Sequence, residues 1–225
     1  KTDGKTPRVT SIAVRNLASG QTESFSIHKI AEQRKVNFGS IEQNYDSLEK
    51  EMLDEFYGHL GKTKHCTWIH WNMRDINYGF PAIEHRYKVL GGTPIELPEE
   101  RKFDLARALI DVFGVKYISH PRLENLVSLN KMTARDFLVG KAEADAFTNK
   151  EFVKLHQSTL RKADIMSNIF ERLSDGSLKT NAKWKDIYGL SMESVVGYIK
   201  QHWIISALSI VSVVLGVIAK LQGFF

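Results

Sequence analysis

The sequence predicts an α/β fold: a mixed sheet with flanking helices, extended by a helical second half and a C-terminal transmembrane helix. Three observations predict it. Between Arg8 and His28, β-branched and apolar residues alternate with polar ones on either side of a turn-rich Asn16–Gly20. From Glu99 onward, apolar residues recur every three or four positions. From Trp203 to Ala219 the chain reads WIISALSIVSVVLGVIA, with no charged residue.

The first pattern is a hairpin, Arg8–Val14 pairing with Glu23–His28, because period-2 alternation suits a half-buried strand. Ser40 with Gln43 has the capping-box spacing. The helix expected after it places Tyr45, Leu48, Met52, Phe56 and Leu60 on one face and ends at Gly61. Cys66–Trp71 is a short apolar and aromatic run that reads as a central strand. Pro81 opens the next helix, with Ile83, Tyr87 and Leu90 facing inward, and Gly91–Gly92 stops it. Phe103, Ala106, Leu109, Ile110 and Phe113 then form a helix face halted at Gly114. Pro121–Asn130 and Thr133–Gly140 read as short helices, and Phe152, Leu155, Thr159, Ala163, Met166, Phe170 and Leu173 as the stripe of a long one. Ser174–Thr180 is a turn. Three regions are therefore expected: an α/β region over 1–95, a helical region packed on it over 96–190, and a membrane anchor over 191–225.

The chain has 225 residues, 43% hydrophobic and 25% charged, which excludes global disorder. Its net charge of +5 suits a neighbour such as anionic lipid or nucleic acid. A single cysteine, Cys66, excludes an intramolecular disulfide framework and any cysteine-cluster zinc or iron–sulfur site. No Walker loop, Gly-x-Ser-x-Gly elbow or His-Glu-x-x-His sequence is present.

The uncharged run covers about 25 Å as a helix, at the short edge of what a bilayer core needs. It is apolar on every face, and Trp203 stands where an interfacial aromatic belongs. Lys183, Lys185 and Lys200 precede it, while Lys220 follows. The positive-inside rule then places the N-terminal region in the cytoplasm, as the soluble part of a single-pass, tail-anchored protein of the inner (plasma) membrane. Ser206, Ser209, Ser212 and Gly216 are small residues at helical spacing, a strip that permits close helix approach and a homo-oligomer; small residues are also simply common in membrane helices.

The first 95 or so residues carry a further pattern. A Val-Thr-Ser-Ile-Ala-Val run leads to a polar hairpin ending in Phe-Ser-Ile. An acidic helix follows, SLEKEMLDEFYGHL. A strand then runs into His70-Trp71-Asn72-Met73-Arg74-Asp75, and a helix ends EHRYKVLGG. In this order the features resemble the DEDD superfamily of 3′–5′ exonucleases, proofreading-exonuclease-like proteins of ribonuclease H-like fold. Asn72, Asp75, Arg86 and Leu90-Gly91 match the positions of that family's second motif. The resemblance implies two-metal phosphodiester hydrolysis with Mg or Mn held by four carboxylates. It implies Asp75 and Asp164 as metal ligands, and His156 with Asp164 as the counterpart of the last motif, although eight positions separate them. Asp136 and the Glu143/Asp145 pair are competing carboxylates. The family's first motif, Asp-x-Glu, has no counterpart between Lys1 and Ile12. An active enzyme is expected to carry it before Lys1, and a degenerate one to lack it.

Each of these residues also has a structural use. An Asp such as Asp75, followed by Ile-Asn-Tyr-Gly-Phe-Pro, suits a turn or helix cap. His70 in a Trp-rich strand suits a hydrogen-bonded core position, and His59, His65 and His70 lack the spacing of a zinc site. Lys154, Arg161 and Lys162 are candidates for phosphate contact, on nucleic acid or lipid, or for a solvated helix face.

Two functions are thus expected in order. The first is a membrane effector of a prokaryotic antiviral, abortive-infection type. Its degenerate exonuclease-like cytoplasmic domain docks a nucleic-acid-sensing partner protein, and its membrane helices disrupt or depolarise the membrane on oligomerisation; no cofactor is expected. The alternative is an active membrane-anchored 3′–5′ exonuclease using Asp75, His156 and Asp164 with Mg or Mn.

Overall fold

The computed structural model describes residues 7–75 and 78–182, with the backbone alone at Asp75. Trp203, Ser206, Ser209, Ser212, Gly216 and Lys220, and with them the expected membrane helix, lie outside the described residues. The described chain is a mixed α/β protein of small sheets and flanking helices. It divides into two compact units: the described residues within 1–68, 72–102 and 134–164, and those within 69–71, 103–133 and 165–182.

In the first unit, β1 (Ser11–Arg15) and β2 (Thr22–Ser26) form the expected antiparallel hairpin, with Ile12 opposite Phe25 and Val14 opposite Glu23. Asn16 closes its turn by accepting from the backbone N–H groups of Ala18 and Ser19. The returning strand ends two residues before His28. The chain turns there into helix α1 (Ile27–Gln33), because Ile27, Ile30 and Ala31 bury one face at helical spacing. The capping box at Ser40 is not used. Residues Phe38–Ser40 and Glu42–Asn44 form two 3₁₀ turns, and the side chain of Asn37 accepts from the N–H of Gly39. Helix α2 begins only at Tyr45 and runs to Thr63, through Gly61 rather than stopping there. Its expected inner face is buried: Tyr45, Leu48, Met52, Phe56 and Leu60.

Strand β3 (Trp68–His70) is shorter than the apolar run around it. It pairs with β6 (Lys102–Asp104) in a two-stranded sheet, so it is not a central strand. Strands β4 (Arg74–Asp75) and β5 (Tyr78–Gly79) form a second small hairpin. Gly79 ends it at φ +119°, where an added Cβ would lie 2.4 Å from the carbonyl of Met73, so only glycine fits. Helix α3 (Phe80–Val89) carries Pro81 in its first turn as expected, and Gly91 (φ +81°) follows its end.

The first unit's core joins α1, α2, α3 and the hairpin. Phe25 meets Phe56 edge-on, and Tyr57 stacks on Tyr87 with ring centroids 4.4 Å apart. Ala146 of α6 (Lys141–Thr148) belongs to this core, as do Phe152 and Leu155 of α7 (Phe152–Ser174). Residues 133–140 form no helix. This connection is tied to α7 instead: the N–H of Leu138 donates to Ser158 Oγ, and that hydroxyl donates to the carbonyl of Leu138.

In the second unit, Phe103 lies in β6 and not on the helix face expected for it. Asp104 caps α4 (Leu105–Phe113) by accepting from the N–H of Arg107, so the helix starts later than the apolar period suggests. Leu105, Ala108 and Leu109 are its buried residues, and Gly114 ends it at φ +80°. Helix α5 (Arg122–Leu129) follows Pro121, and the side chain of Asn130 bridges to both the N–H and the carbonyl of Lys179. The far half of α7 buries Ile165 and Ile169 more fully than Met166 and Phe170, shifting the expected stripe by one position.

Candidate functional site

The functional residues read from sequence sit on three elements. Asn72 stands between β3 and β4 with φ +52°, a left-handed conformation that asparagine tolerates better than most residues. Asp75 ends β4, opposite Tyr78. His156 and Asp164 both lie on α7. Eight residues apart on one helix, they are separated by about 12 Å along the axis.

His156 is buried beside His28 of α1, with ring centroids 4.9 Å apart. His156 Nε2 and His28 Nδ1 have no hydrogen-bond partner. Burial drives the His156 imidazole down to a pKa of about 4, reinforced by the charges of His28 and Lys29. Burial also lowers His28, against the pull of Glu32. Both rings are therefore neutral at pH 7. A base with so low a pKa is poorly matched to proton abstraction at neutral pH.

Asp164 is half-exposed and held by two arginines: Arg15 of β1 at 3.1 Å and Arg161, one turn earlier, at 3.5 Å. Arg161 also donates to the carbonyl of Arg135. Lys162 pairs with Glu143 at 2.5 Å, and Lys154 with Glu151 at 2.9 Å. The three basic residues proposed for phosphate contact thus each have an acidic partner within the first unit. Of the competing carboxylates, Glu143 is thereby paired with a lysine, and Asp136 lies 3.7 Å from the Arg135 guanidinium. Among the described residues no group of three or more His, Cys, Asp or Glu side chains is arranged to hold a metal ion.

Arg86, the motif arginine of α3, is buried and fully engaged. Its Nε and Nη2 donate to Glu49 Oε2 at 3.0 and 2.6 Å, and Nη2 also donates to Asp46 at 2.6 Å. Glu49 is completely buried, and its other oxygen accepts from the N–H of Val9 at 2.7 Å. The hydrogen bond to Glu49 raises the Arg86 pKa further, against the cost of burial. One ionic contact therefore ties α2, α3 and the approach to β1 together.

Two of these residues escape a reading of the sequence. His28 looked like the end of a strand. The signal that would have found it is the Ile27/Ile30/Ala31 spacing that begins at its side. Glu49 looked like one charge in an acidic helix, yet it sits one position after Leu48 and four from Leu53, inside the apolar arc of α2. No protein-family model, no curated protein and no solved structure matches this chain.

Proposed function

We infer that this chain is a membrane-anchored effector whose cytoplasmic domain docks and senses, and whose apolar 203–219 segment acts on the bilayer. The observation that carries the reading is the 17-residue uncharged stretch from Trp203 to Ala219 with lysines concentrated before it. The engagement of the candidate chemical groups supports the non-catalytic half of it. Asp164 is neutralised by two arginines, His156 is a buried neutral imidazole, and Arg86 is spent on a structural ion pair. A domain with such an interior is suited to rigid presentation of a surface more than to turnover.

The finer fold reading, ribonuclease H-like, belongs to the same proposal. It is supported by the order of the β1–β2 hairpin, α2, β3 with Asn72 and Asp75 beyond it, and α3 with its arginine. The antiviral setting follows from architecture: a partner that recognises foreign nucleic acid docks on the soluble domain, the anchors cluster through the Ser206–Gly216 strip, and the membrane depolarises.

The test is fractionation followed by function. The full chain is expected in the carbonate-resistant membrane pellet, and to collapse membrane potential, read with a voltage-sensitive dye, when the strip-bearing helix is clustered through an added inducible dimeriser. A freely dispersed chain, or clustering without depolarisation, overturns the reading. The nuclease alternative is favoured by the Asn72–Asp75–Arg86 order. Manganese-dependent cleavage of single-stranded DNA or RNA that is lost in Asp75→Ala would replace the effector reading with it.

A further inference from the structure

The second unit carries an apolar strip that its described residues leave partly open. On α4, Leu105, Ala108 and Leu109 are buried. Ala106, Ile110 and Phe113 stand beside them at i, i+4 and i+7, equally apolar but only half-buried. Arg107 and Asp111, paired with each other at 3.5 Å, mark the far side of the helix. The apolar arc of α4 is thus wider than the face its neighbours cover. Beyond Gly114 the strip continues to Val115, at 65% the most exposed large apolar side chain among the described residues. A single exposed valine needs no explanation, but one that extends a half-open helix strip does.

The backbone under Val115 is held on both sides. Arg122 Nη2 donates to its carbonyl at 3.5 Å, and the N–H of Tyr117 donates to the carbonyl of Gly114 at 3.1 Å. Tyr117 is fully buried, with its ring centroid 6.4 Å from that of Phe113. The exposure therefore belongs to a fixed corner of the fold.

The place where the described chain ends points to what covers this corner. Asn130 ties down both backbone groups of Lys179, and the N–H of Asn181 then donates to the carbonyl of Tyr117 at 2.7 Å. Trp184 follows three positions later, a span of at most about 10 Å. Trp184, Ile187 and Tyr188 recur at i, i+3 and i+4, with Lys183 before them and Lys185 and Asp186 between. An apolar segment tethered so close has an effective concentration in roughly the millimolar range, which a separate molecule seldom reaches.

We propose that residues 183–190 dock on the α4 strip, with Trp184, Ile187 and Tyr188 set against Ile110, Phe113 and Val115. The surface is thus a receptor for a segment of its own chain. The contact does not rest on the membrane reading, but it bears on it. Residues 183–202 fully extended would span about 70 Å, and docking takes up the first part of that tether, holding the second unit near position 203.

Hydrogen–deuterium exchange of the full chain in detergent, at two protein concentrations about tenfold apart, tests it. Peptides covering 184–190 are expected to exchange about tenfold or more slowly than an unprotected chain, and equally so at both concentrations. Val115→Asp, at an exposed position, should return them most of the way to the unprotected rate while leaving α2 unchanged. Reciprocally, Trp184→Ala should speed exchange over 112–117 by about threefold or more. If Val115→Asp disturbs α4, Trp184→Ala decides alone. The proposal is overturned if 184–190 exchange at the unprotected rate. It is overturned equally if dilution removes the protection, which makes a second copy the cover, or if the protection survives Val115→Asp, which makes the detergent or lipid the cover.

Discussion

Arg86 and His156 are both polar, both buried and both in the first unit, yet they reach burial by opposite routes. Arg86 keeps its charge and is surrounded by acceptors: Glu49, itself fully buried, and Asp46. His156 surrenders its charge and faces another neutral imidazole, with nitrogens of both rings unpartnered. The first arrangement holds the arginine's proton, because the hydrogen bond to Glu49 raises the Arg86 pKa still further from neutral pH. The second is metastable towards acid. One interior thus contains a fixed ionic staple and a proton-sensitive contact, and the two should respond to different perturbations.

The largest effect should come from breaking the staple. Arg86→Met leaves the Glu49 carboxyl group buried with, among the described residues, the Val9 N–H as its remaining donor, and should cost about 3–5 kcal/mol, read as a lower denaturant midpoint at pH 7. Replacing both partners, as Glu49→Leu with Arg86→Met, should recover much of that loss, since an apolar pair leaves no uncompensated charge. A double variant as unstable as the single one would mean that the carboxylate, not the pairing, holds α2 and α3.

Acid should find the other contact. The folded pKa of His156, about 4, lies below its unfolded value of 6.5. The unfolded chain therefore binds more protons in between, and stability rises with pH across that interval. The contribution is complete above pH 6.5 and is lost progressively as pH falls from there towards 4. For His156 it amounts to at most about 3 kcal/mol. His28 shifts in the same direction, with Lys29 adding to the effect and Glu32 opposing it. His156→Leu should flatten the stability profile between pH 6.5 and 4 while leaving the Arg86 staple's effect at pH 7 intact. A profile equally steep in that variant would move the acid sensitivity elsewhere.

The smallest effect belongs to Asp164. Its pairs with Arg15 and Arg161 are half-exposed. Asp164→Asn should cost under about 1 kcal/mol in thermal denaturation, less at high salt. A loss of several kcal/mol would show that the Arg15 contact contributes to the hairpin as the staple does to the helices.

Helices with a one-sided apolar period were legible in the sequence. The inner face of α2, Pro81 at the start of α3 and Gly114 after α4 all stand where spacing and breakers put them, because each signal is local. The boundaries set by tertiary contacts were not. Gly61 failed to end α2 because the helix continues beneath Ile95, whose Cδ1 lies 3.0 Å from where a Cβ at Gly61 would stand. The helix expected over 133–140 is absent, and α6 forms just after it. Phe103 joined a strand because its neighbour Asp104 caps the helix. The candidate site was legible only as a set of residue types. Charges that seemed free for chemistry, Asp164 and Lys162 among them, find partners more than 15 positions away in sequence, and no period or motif encodes such pairs.

The hydroxyl of Ser158 serves two masters. It receives the amide proton of Leu138 and returns its own to the carbonyl of the same residue, so a stretch without helix or strand has its backbone completed by a side chain of α7. In exchange with heavy water, the Leu138 amide should therefore keep time with the long helix and not with the loop in which it is written.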